Sequence, residues 1–340
     1  FTEFCKKAIL TVEKWRQTDK NYKVGDFVMS MEFERKRIEY LNNWPNVEPF
    51  EIEKQYYSLV DKMKLENRTI FIPFPLKTNT DLSYNKTISF MIEAVEQLEK
   101  NPNYSYEFIF KAYDCFSSLF YGNVKQITDK NKWLCDNEWT RALDEHPRLH
   151  DAFIEMLRVM PVKACQYLYS RLAKDGEASY NRTTTSISGG TTIESEKRKE
   201  LIDSVKNKYG YDCAQYSESI RKASLLYRHI FTDPSVVICD KTYAITTQDK
   251  LHILVSGFLY TLRNDTMHGD NISITKSSKT TLGIYAVDYF AYLLLYYLLL
   301  LLILKRNSSD YSMDVYDLLA ENIEKNTHLY KLLFGKETEK

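Results

Sequence analysis

Three features of the sequence predict a mainly α-helical protein. The chain has 340 residues but only 10 Gly and 8 Pro, so it has few of the turn residues that many short strands would need. Apolar residues recur at three-and-four spacing in long segments of both halves. The composition, 44% apolar and 27% charged, is that of a folded, water-soluble chain and excludes collagen-like, disordered and disulfide-scaffold proteins.

Helices are predicted along most of the first half. Residues 82–100 and 104–120 carry the helical apolar period, and so do residues 151–172, where Pro161 predicts a kink or an end. The exception is residues 68–76, RTIFIPFPL, in which β-branched and aromatic residues alternate but two prolines interrupt. This pattern predicts a short edge strand or an extended segment.

The composition changes at residues 176–192, GEASYNRTTTSISGGTT, which are small and polar and carry no apolar period. Such a stretch predicts a mobile loop or flexible polar linker. We therefore expect a mostly helical N-terminal domain over residues 1–175, with a regulatory or recruiting role, and a second domain over residues 193–340.

The second domain begins with two predicted helices, residues 194–208 and 216–231. The strongest helical pattern in the chain follows them. Thr246 and Asp249 have the spacing of a capping box, and the apolar stripe that starts there continues to Leu262. The sequence therefore predicts one long helix that delivers the residues after Leu262 at its carboxyl end.

The apolar block at residues 289–304, YFAYLLLYYLLLLLIL, is compatible with a membrane span or a buried core helix. At a rise of ~1.5 Å per residue it reaches ~24 Å, which is short of the ~30 Å hydrocarbon layer. Asp288 blocks its extension, and Tyr296 and Tyr297 would place hydroxyl groups near the bilayer centre. The sequence therefore favours a central helix of a bundle, with a membrane-anchored protein as the alternative.

The charge balance limits the possible binding partners, and the cysteine content limits the cellular compartment. The 46 basic and 46 acidic residues cancel, so binding of RNA must come from a local cluster of charge. The six cysteines lie far apart and form no Cys-x-x-Cys pair, which excludes the patterns of a zinc module and of a disulfide lattice. We expect a cytoplasmic protein without a bound metal or cofactor.

One short motif combines residue types that can act on a phosphate. Residues 263–269 read RNDTMHG, in which Arg263 is followed by the polar Asn264 and, after four intervening residues, by His268. The motif stands where the long helix is predicted to end, at Gly269. Here the chain resembles the HEPN superfamily (higher eukaryotes and prokaryotes nucleotide-binding), all-α domains whose ribonuclease members carry Arg-x4-6-His. By helix order the resemblance extends over residues 194–304.

The resemblance implies a helical bundle of HEPN type in the C-terminal half and a metal-independent endoribonuclease that cleaves single-stranded RNA. Cleavage in such enzymes takes place in a cleft between two HEPN domains, each contributing one motif, which implies a homodimer here. The resemblance also implies a defence or toxin setting with an antitoxin or activating partner.

The chemistry of the reaction assigns roles to the motif residues. The Arg263 guanidinium can form two parallel hydrogen bonds to phosphate oxygens. The imidazole of His268, with a reference pKa of ~6.5, can take or give a proton near neutral pH. Asn264 is expected to orient Arg263 or the scissile phosphate, and the expected products carry a 2′,3′-cyclic phosphate and a 5′-hydroxyl. Further candidates for RNA binding are Thr266, Lys276 and Lys279.

A second Arg-x4-His spacing occurs at Arg141 and His146. Asp144 and Glu145 lie between them and would repel a phosphate, which favours a plain surface helix. A diverged first half that brings this pair opposite Arg263 within one chain is a further alternative.

Two readings without catalysis also remain open. Arg263 can instead be paired with Asp265 or with another carboxylate of a helix, with His268 as an ordinary cation at a helix end. The protein would then be a non-catalytic HEPN-like helical module that binds a protein partner or a nucleotide.

Overall fold

The fold is mainly α-helical, which confirms the predicted class. The computed structural model describes the chain except at its first 23 and last two residues and in seven internal gaps. The described ranges are 24–120, 126–173, 178–188, 190, 192–210, 216–267, 273–277 and 280–338.

The first half of the described chain consists of helices, with one long connection, residues 66–81, between the second and the third helix. They are α1 (Val24–Asn42), α2 (Glu51–Leu65), α3 (Leu82–Leu98), α4 (Pro102–Ser117), α5 (Ile127–Leu134), a π-helical turn (Cys135–Trp139), α6 (Thr140–Glu145), α7 (Pro147–Arg158) and α8 (Val162–Ala173).

The second half adds one β-hairpin to a further set of helices. Its elements are α9 (Ala178–Ser188), α10 (Ile193–Tyr209), α11 (Tyr216–Thr232), β1 (Ser235–Ile238), β2 (Lys241–Ala244), α12 (Thr247–His252), a π-helical turn (Ile253–Leu259), α13 (Tyr260–Met267), a 3-10 turn (Ile274–Lys276), α14 (Leu282–Arg306), a 3-10 turn (Ser308–Asp310) and α15 (Val315–Thr338).

Two local signals in the sequence have the predicted effect. Pro161 separates α7 from α8, as expected from its missing N–H group. The capping box at the start of α12 is formed: the Asp249 N–H donates to Thr246 Oγ1 and the Thr246 N–H donates to Asp249 Oδ2, both at 3.1 Å. Each bond satisfies a backbone donor that the first helical turn would otherwise leave free.

The prediction of a flexible polar linker over residues 176–192 is wrong for residues 178–188, which form α9. Ile187 and Ser188 are buried in this helix. The hydroxyls of Ser186 and Ser188 each donate, at 2.8 Å, to the carbonyl four residues earlier in the helix. Because these groups are satisfied within the helix itself, α9 can be buried without an apolar stripe.

The two predicted domains share one hydrophobic core, which runs from Phe50 to Phe334. At its centre lies α14, which packs most extensively against α4 of the first half and also contacts α15. All residues of the apolar block 289–304 are buried, as expected of a core helix. The helix is long and apolar enough to cross a membrane, and its most apolar window is wholly buried inside the protein.

Residues 68–76 have no regular secondary structure and form no ladder with another strand of the described chain. Side chains of α14 and α15 satisfy their backbone instead. Phe74 N–H donates to the Tyr296 hydroxyl at 2.8 Å, and the Asn326 amide bonds both the N–H and the carbonyl of Ile72 at 2.8 Å. The polar groups of these buried helices therefore fasten an irregular segment to the core.

The hairpin of β1 and β2 was not predicted. The strands are antiparallel, with Ile238 opposite Lys241, and the turn residues Cys239 and Asp240 have φ angles of 47° and 63°. Positive φ at both central residues is the mark of a turn that usually carries Asn-Gly or Asp-Gly. The Cys-Asp pair gives no such signal in the sequence.

Candidate functional site

The Arg-Asn pair of the motif lies on α13, the last part of the helix that begins at the capping box. A π-helical turn, residues Ile253–Leu259, precedes it, and such turns occur frequently at functional sites. His268 and Gly269 lie outside the described residues, and so does Lys279. Of the motif, Arg263, Asn264, Asp265, Thr266 and Met267 lie within the described residues.

The Arg263 guanidinium is held in one orientation. Its Nη1 donates a hydrogen bond to Asn264 Oδ1 at 3.0 Å, and its central carbon lies 5.5 Å from the centre of the Phe110 ring. Asn264 is buried, whereas Arg263 keeps part of its surface exposed. Within the described part of the chain no carboxylate forms an ion pair with Arg263.

Asp265 belongs to a different set of contacts. Its buried carboxylate forms an ion pair with Arg171 and accepts a hydrogen bond from the Tyr167 hydroxyl at 2.7 Å. The guanidinium of Arg171 also lies 5.3 Å from the centre of the Tyr167 ring. The alternative in which Asp265 neutralises Arg263 is therefore not the arrangement that the structure has.

The other described candidates for RNA binding, Thr266 and Lys276, lie in different parts of the structure. Thr266 donates to the Leu262 carbonyl at 2.9 Å and lies near Arg263. Lys276 lies against another part of the chain: its ammonium group is 2.6 Å from Glu53 Oε2 and about equally close to the rings of Tyr40 and Phe50, at 4.5 and 4.6 Å. A role of Lys276 in holding RNA stays a prediction, and this ammonium group would first have to leave Glu53.

Two cavities meet beside the motif. A cavity of about 50 Å³ is lined by Arg263 together with residues of α4. A larger groove of about 730 Å³, which we call the motif groove, runs between α4, α8, α13 and α14. Glu107 and Thr266 line both, so the Arg263 cavity and the motif groove are neighbours.

Carboxyl groups with raised pKa values line the motif groove. Burial raises the pKa of Asp288 to about 8, and the nearby Glu107 raises it further while the Asn103 amide opposes the shift. Burial also raises the pKa of Glu107, against the effect of Lys111. Carboxyls of this kind can exchange protons closer to neutral pH than exposed ones.

Basic side chains lie near the same space. Lys163 of α8 lines the motif groove, and its ammonium group donates to the Thr281 hydroxyl. Lys111 of α4 lines the Arg263 cavity and lies 4.5 Å from the centre of the Phe108 ring. Glu107 and Asp114 also line the Arg263 cavity, so the two basic side chains there, Arg263 and Lys111, share it with two carboxyl groups.

The second Arg-x4-His spacing lies elsewhere on the described surface. Arg141 pairs with Glu138 at 2.7 Å, and His146 stacks on the Tyr316 ring with 3.9 Å between ring centres. Neither residue lines the motif groove or the Arg263 cavity. These contacts are those of a surface helix, in line with the interpretation drawn from the sequence.

Several residues of the site gave no motif in the sequence. Asn103 and Glu107 come from α4, Lys163 from α8 and Asp288 from α14, and only the fold brings them together. In the sequence only Asp288 indicated such a residue, because it directly precedes a long apolar block. Burying a carboxyl group there costs free energy, so its presence suggests a function.

Among the residues that the structure describes, no group of three or more His, Cys, Asp or Glu side chains is arranged to hold a metal ion. Comparison with known proteins adds no relative: no family model, no curated protein and no solved structure matches this chain.

Proposed function

We propose that this protein is a metal-independent endoribonuclease that cleaves single-stranded RNA at a site built around Arg263. One observation carries the proposal: the Arg263 guanidinium is oriented by Asn264, forms no ion pair with a described carboxylate, and lines a small cavity next to the motif groove. A guanidinium in this state keeps its charge and its donors for a phosphate. The resemblance of residues 263–269 to HEPN ribonucleases supports the same reaction.

In this proposal each motif residue has a separate role in the reaction. An imidazole takes the proton of the 2′-hydroxyl, the 2′ oxygen forms a bond to phosphorus, and the bond from phosphorus to the 5′ oxygen breaks. Arg263 stabilises the charge that develops on the phosphate oxygens. The 5′ oxygen gains a proton, which leaves a 2′,3′-cyclic phosphate and a 5′-hydroxyl.

One imidazole cannot easily remove one proton and deliver another in the same step. Two copies of the motif facing each other would supply two His268 side chains and two Arg263 side chains, so the chemistry favours a homodimer. A cytoplasmic setting in defence or as a toxin, with an antitoxin or activating partner, completes the proposal. The first half of the chain would then regulate the nuclease or recruit its partner.

The direct test compares RNA degradation by the wild type, Arg263→Ala and His268→Ala with EDTA present. Losing one preorganised donor or one proton-transfer group costs about 10²- to 10³-fold in rate, so both variants should be nearly inactive. Arg141→Ala is the matched control, because it removes an arginine of the same spacing outside the groove. Equal activity of all four proteins would refute the proposal.

A second candidate function is a non-catalytic helical module that binds a nucleotide or a protein partner. The motif groove favours it, since about 730 Å³ is in the size range of small-molecule sites. This candidate predicts that Arg263→Ala weakens association while RNA stays intact with every variant.

A further inference from the structure

The Arg263 guanidinium contacts an aromatic side chain of another helix as well as its neighbour Asn264. Its central carbon lies over the Phe110 ring of α4, 5.5 Å from the ring centre. Phe110 is only 6% exposed, and it lines the small cavity beside Arg263. An aromatic face attracts a cation without cancelling its charge, so this contact restrains the guanidinium and leaves its charge for a ligand. A carboxylate in the same place would form an ion pair and compete with a phosphate.

The Phe110 ring is itself fixed by two neighbouring tyrosines of α4. Tyr106 and Tyr113 each pack edge-on against it, with 6.1 and 5.6 Å between ring centres and interplanar angles of 73° and 81°. Both tyrosines are only 1% exposed, and the Tyr113 hydroxyl donates to the Asn131 side chain. Because such close packing restricts the movement of the ring, Phe110 offers Arg263 a rigid surface.

Tyr106 joins the same two helices one turn away. Its hydroxyl donates to the carbonyl of Leu259, the last residue of the π-helical turn that precedes α13. Tyr106 and Phe110 are four residues apart on α4, and Leu259 and Arg263 are also four residues apart, so the members of each pair are neighbours on one helix face. Two contacts therefore join α4 to the helix of the motif: one holds its backbone and the other its guanidinium.

We propose that Phe110 is a positioning residue, which aims the Arg263 guanidinium at the scissile phosphate. The inference rests on the proposed function, because it takes the phosphate as the ligand of Arg263. A guanidinium has five N–H donors, of which Asn264 Oδ1 occupies one on Nη1, and the ring restrains the orientation of the others. Preorganised donors act most strongly in the transition state, when charge develops on the phosphate oxygens. Phe110 should therefore affect kcat more than KM.

The first measurement needs no RNA and compares nuclear magnetic resonance spectra of the full chain labelled with ¹⁵N-arginine. Arg263→Lys identifies the Nε–H signal of Arg263 by removing it. The nearby Phe110 ring should displace this signal from those of exposed arginines. Phe110→Leu should move the signal back towards them, whereas Phe110→Tyr, which keeps the ring, should leave it displaced. A signal that stays in place in Phe110→Leu would overturn the inference.

The second measurement is the rate at which the purified chain cleaves saturating single-stranded RNA. Phe110→Leu should lower kcat about tenfold with little change in KM, since that is the order of effect of a well-shielded cation–π contact. Phe110→Tyr should keep most of the wild-type rate. Phe116→Leu is the matched control, because Phe116 is a fully buried ring of the same helix and is not among the described residues that line the Arg263 cavity. It should cleave at close to the wild-type rate.

The outcomes separate this inference from the proposed function. Equal kcat values for the wild type and Phe110→Leu, or equal losses in Phe110→Leu and Phe116→Leu, would overturn the inference alone, because the wild type would still cleave RNA. RNA that stays intact with every protein, the wild type included, would refute the proposed function instead, while the Arg263 signal still decides whether Phe110 holds the guanidinium.

Discussion

Asn264 accepts a hydrogen bond from its neighbour Arg263, with 3.0 Å between Asn264 Oδ1 and Arg263 Nη1. Adjacent residues on a helix do not face each other, so this bond requires the long arginine side chain to fold back over the buried amide. The bond fixes the guanidinium while leaving its remaining donors for a ligand. Asn264 therefore orients the Arg263 guanidinium, and a role of the two residues in RNA cleavage stays a prediction.

The ion pair of Asp265 with Arg171 is predicted to support the fold rather than the chemistry. Asp265→Ala should lower the free energy of unfolding by about 3 kcal/mol, because it leaves a partly buried guanidinium unpaired. Tyr167→Phe removes only the hydroxyl that donates to the same carboxylate and should cost about 1 kcal/mol. Urea denaturation measures both values.

The matched control for Asp265 is Asp203, which pairs with Lys199 at 2.6 Å on the surface of α10. Asp203→Ala should change the stability by less than about 1 kcal/mol, as is usual for exposed pairs. If Asp203→Ala and Asp265→Ala lower the free energy of unfolding by similar amounts, the Asp265 ion pair stabilises the fold no more than an exposed pair does.

Asp288 should make the stability depend on pH. Its carboxyl has a pKa of about 8 in the folded chain, against 3.8 for an exposed aspartate, so the folded state holds a proton that the unfolded state has lost. The free energy of unfolding should therefore fall as pH rises from about 4 to 8, by up to about 1.4 kcal/mol per pH unit. Above about pH 8 this contribution becomes constant.

Asp288→Asn removes the titrating group and keeps its shape. The variant should gain stability over the wild type progressively between pH 5 and pH 8, as measured by urea denaturation at several pH values. Parallel stability curves for the two proteins would mean that Asp288 is already ionised in the fold, which would contradict the buried, uncharged carboxyl.

If two chains form the active site together, mixing two inactive variants should restore RNA cleavage. Arg263→Ala and His268→Ala are each expected to be inactive, but a mixed dimer brings an intact arginine of one chain to an intact histidine of the other. Each mixed dimer has one His268 and one Arg263, half of the full set, so the mixture should recover only a small part of the wild-type cleavage. This activity should elute near 80 kDa, twice the 40.1 kDa of one chain. An active species of one chain would contradict the composite site between two chains.

We predict that the protein is soluble although α14 is strongly apolar. Its whole apolar window is covered by other parts of the chain, so no lipid is needed to cover it. Cell lysis without detergent should place the protein in the supernatant after high-speed centrifugation. Recovery only in the membrane fraction would support the membrane-anchored alternative.

The helices whose apolar stripe faces the core were predictable from the sequence, and so were the end at Pro161 and the capping box at Thr246. Residues 178–188 were not, because the serine hydroxyls of α9 bond within their own helix and allow polar residues to be buried. The hairpin after α11 was also missed, since Cys239 and Asp240 adopt positive φ without the usual glycine.

The candidate site was predictable only where it is local in sequence. Arg263 and Asn264 stand side by side and form a motif, whereas Asn103, Glu107 and Asp288 meet through the packing of α4 against α14. Spacing along the chain carries no information about such contacts. The raised pKa of Asp288 depends on burial, which the sequence indicates only through the apolar block that follows it.

The most direct test of the account is the cleavage of a defined single-stranded RNA by the purified protein in EDTA, with analysis of the product ends. We expect products with a 2′,3′-cyclic phosphate and a 5′-hydroxyl, no cleavage of the same oligonucleotide with 2′-O-methyl groups, and at least a 10²-fold slower reaction for Arg263→Ala. RNA that stays intact with the wild type, or that Arg263→Ala cuts as fast, would contradict the account.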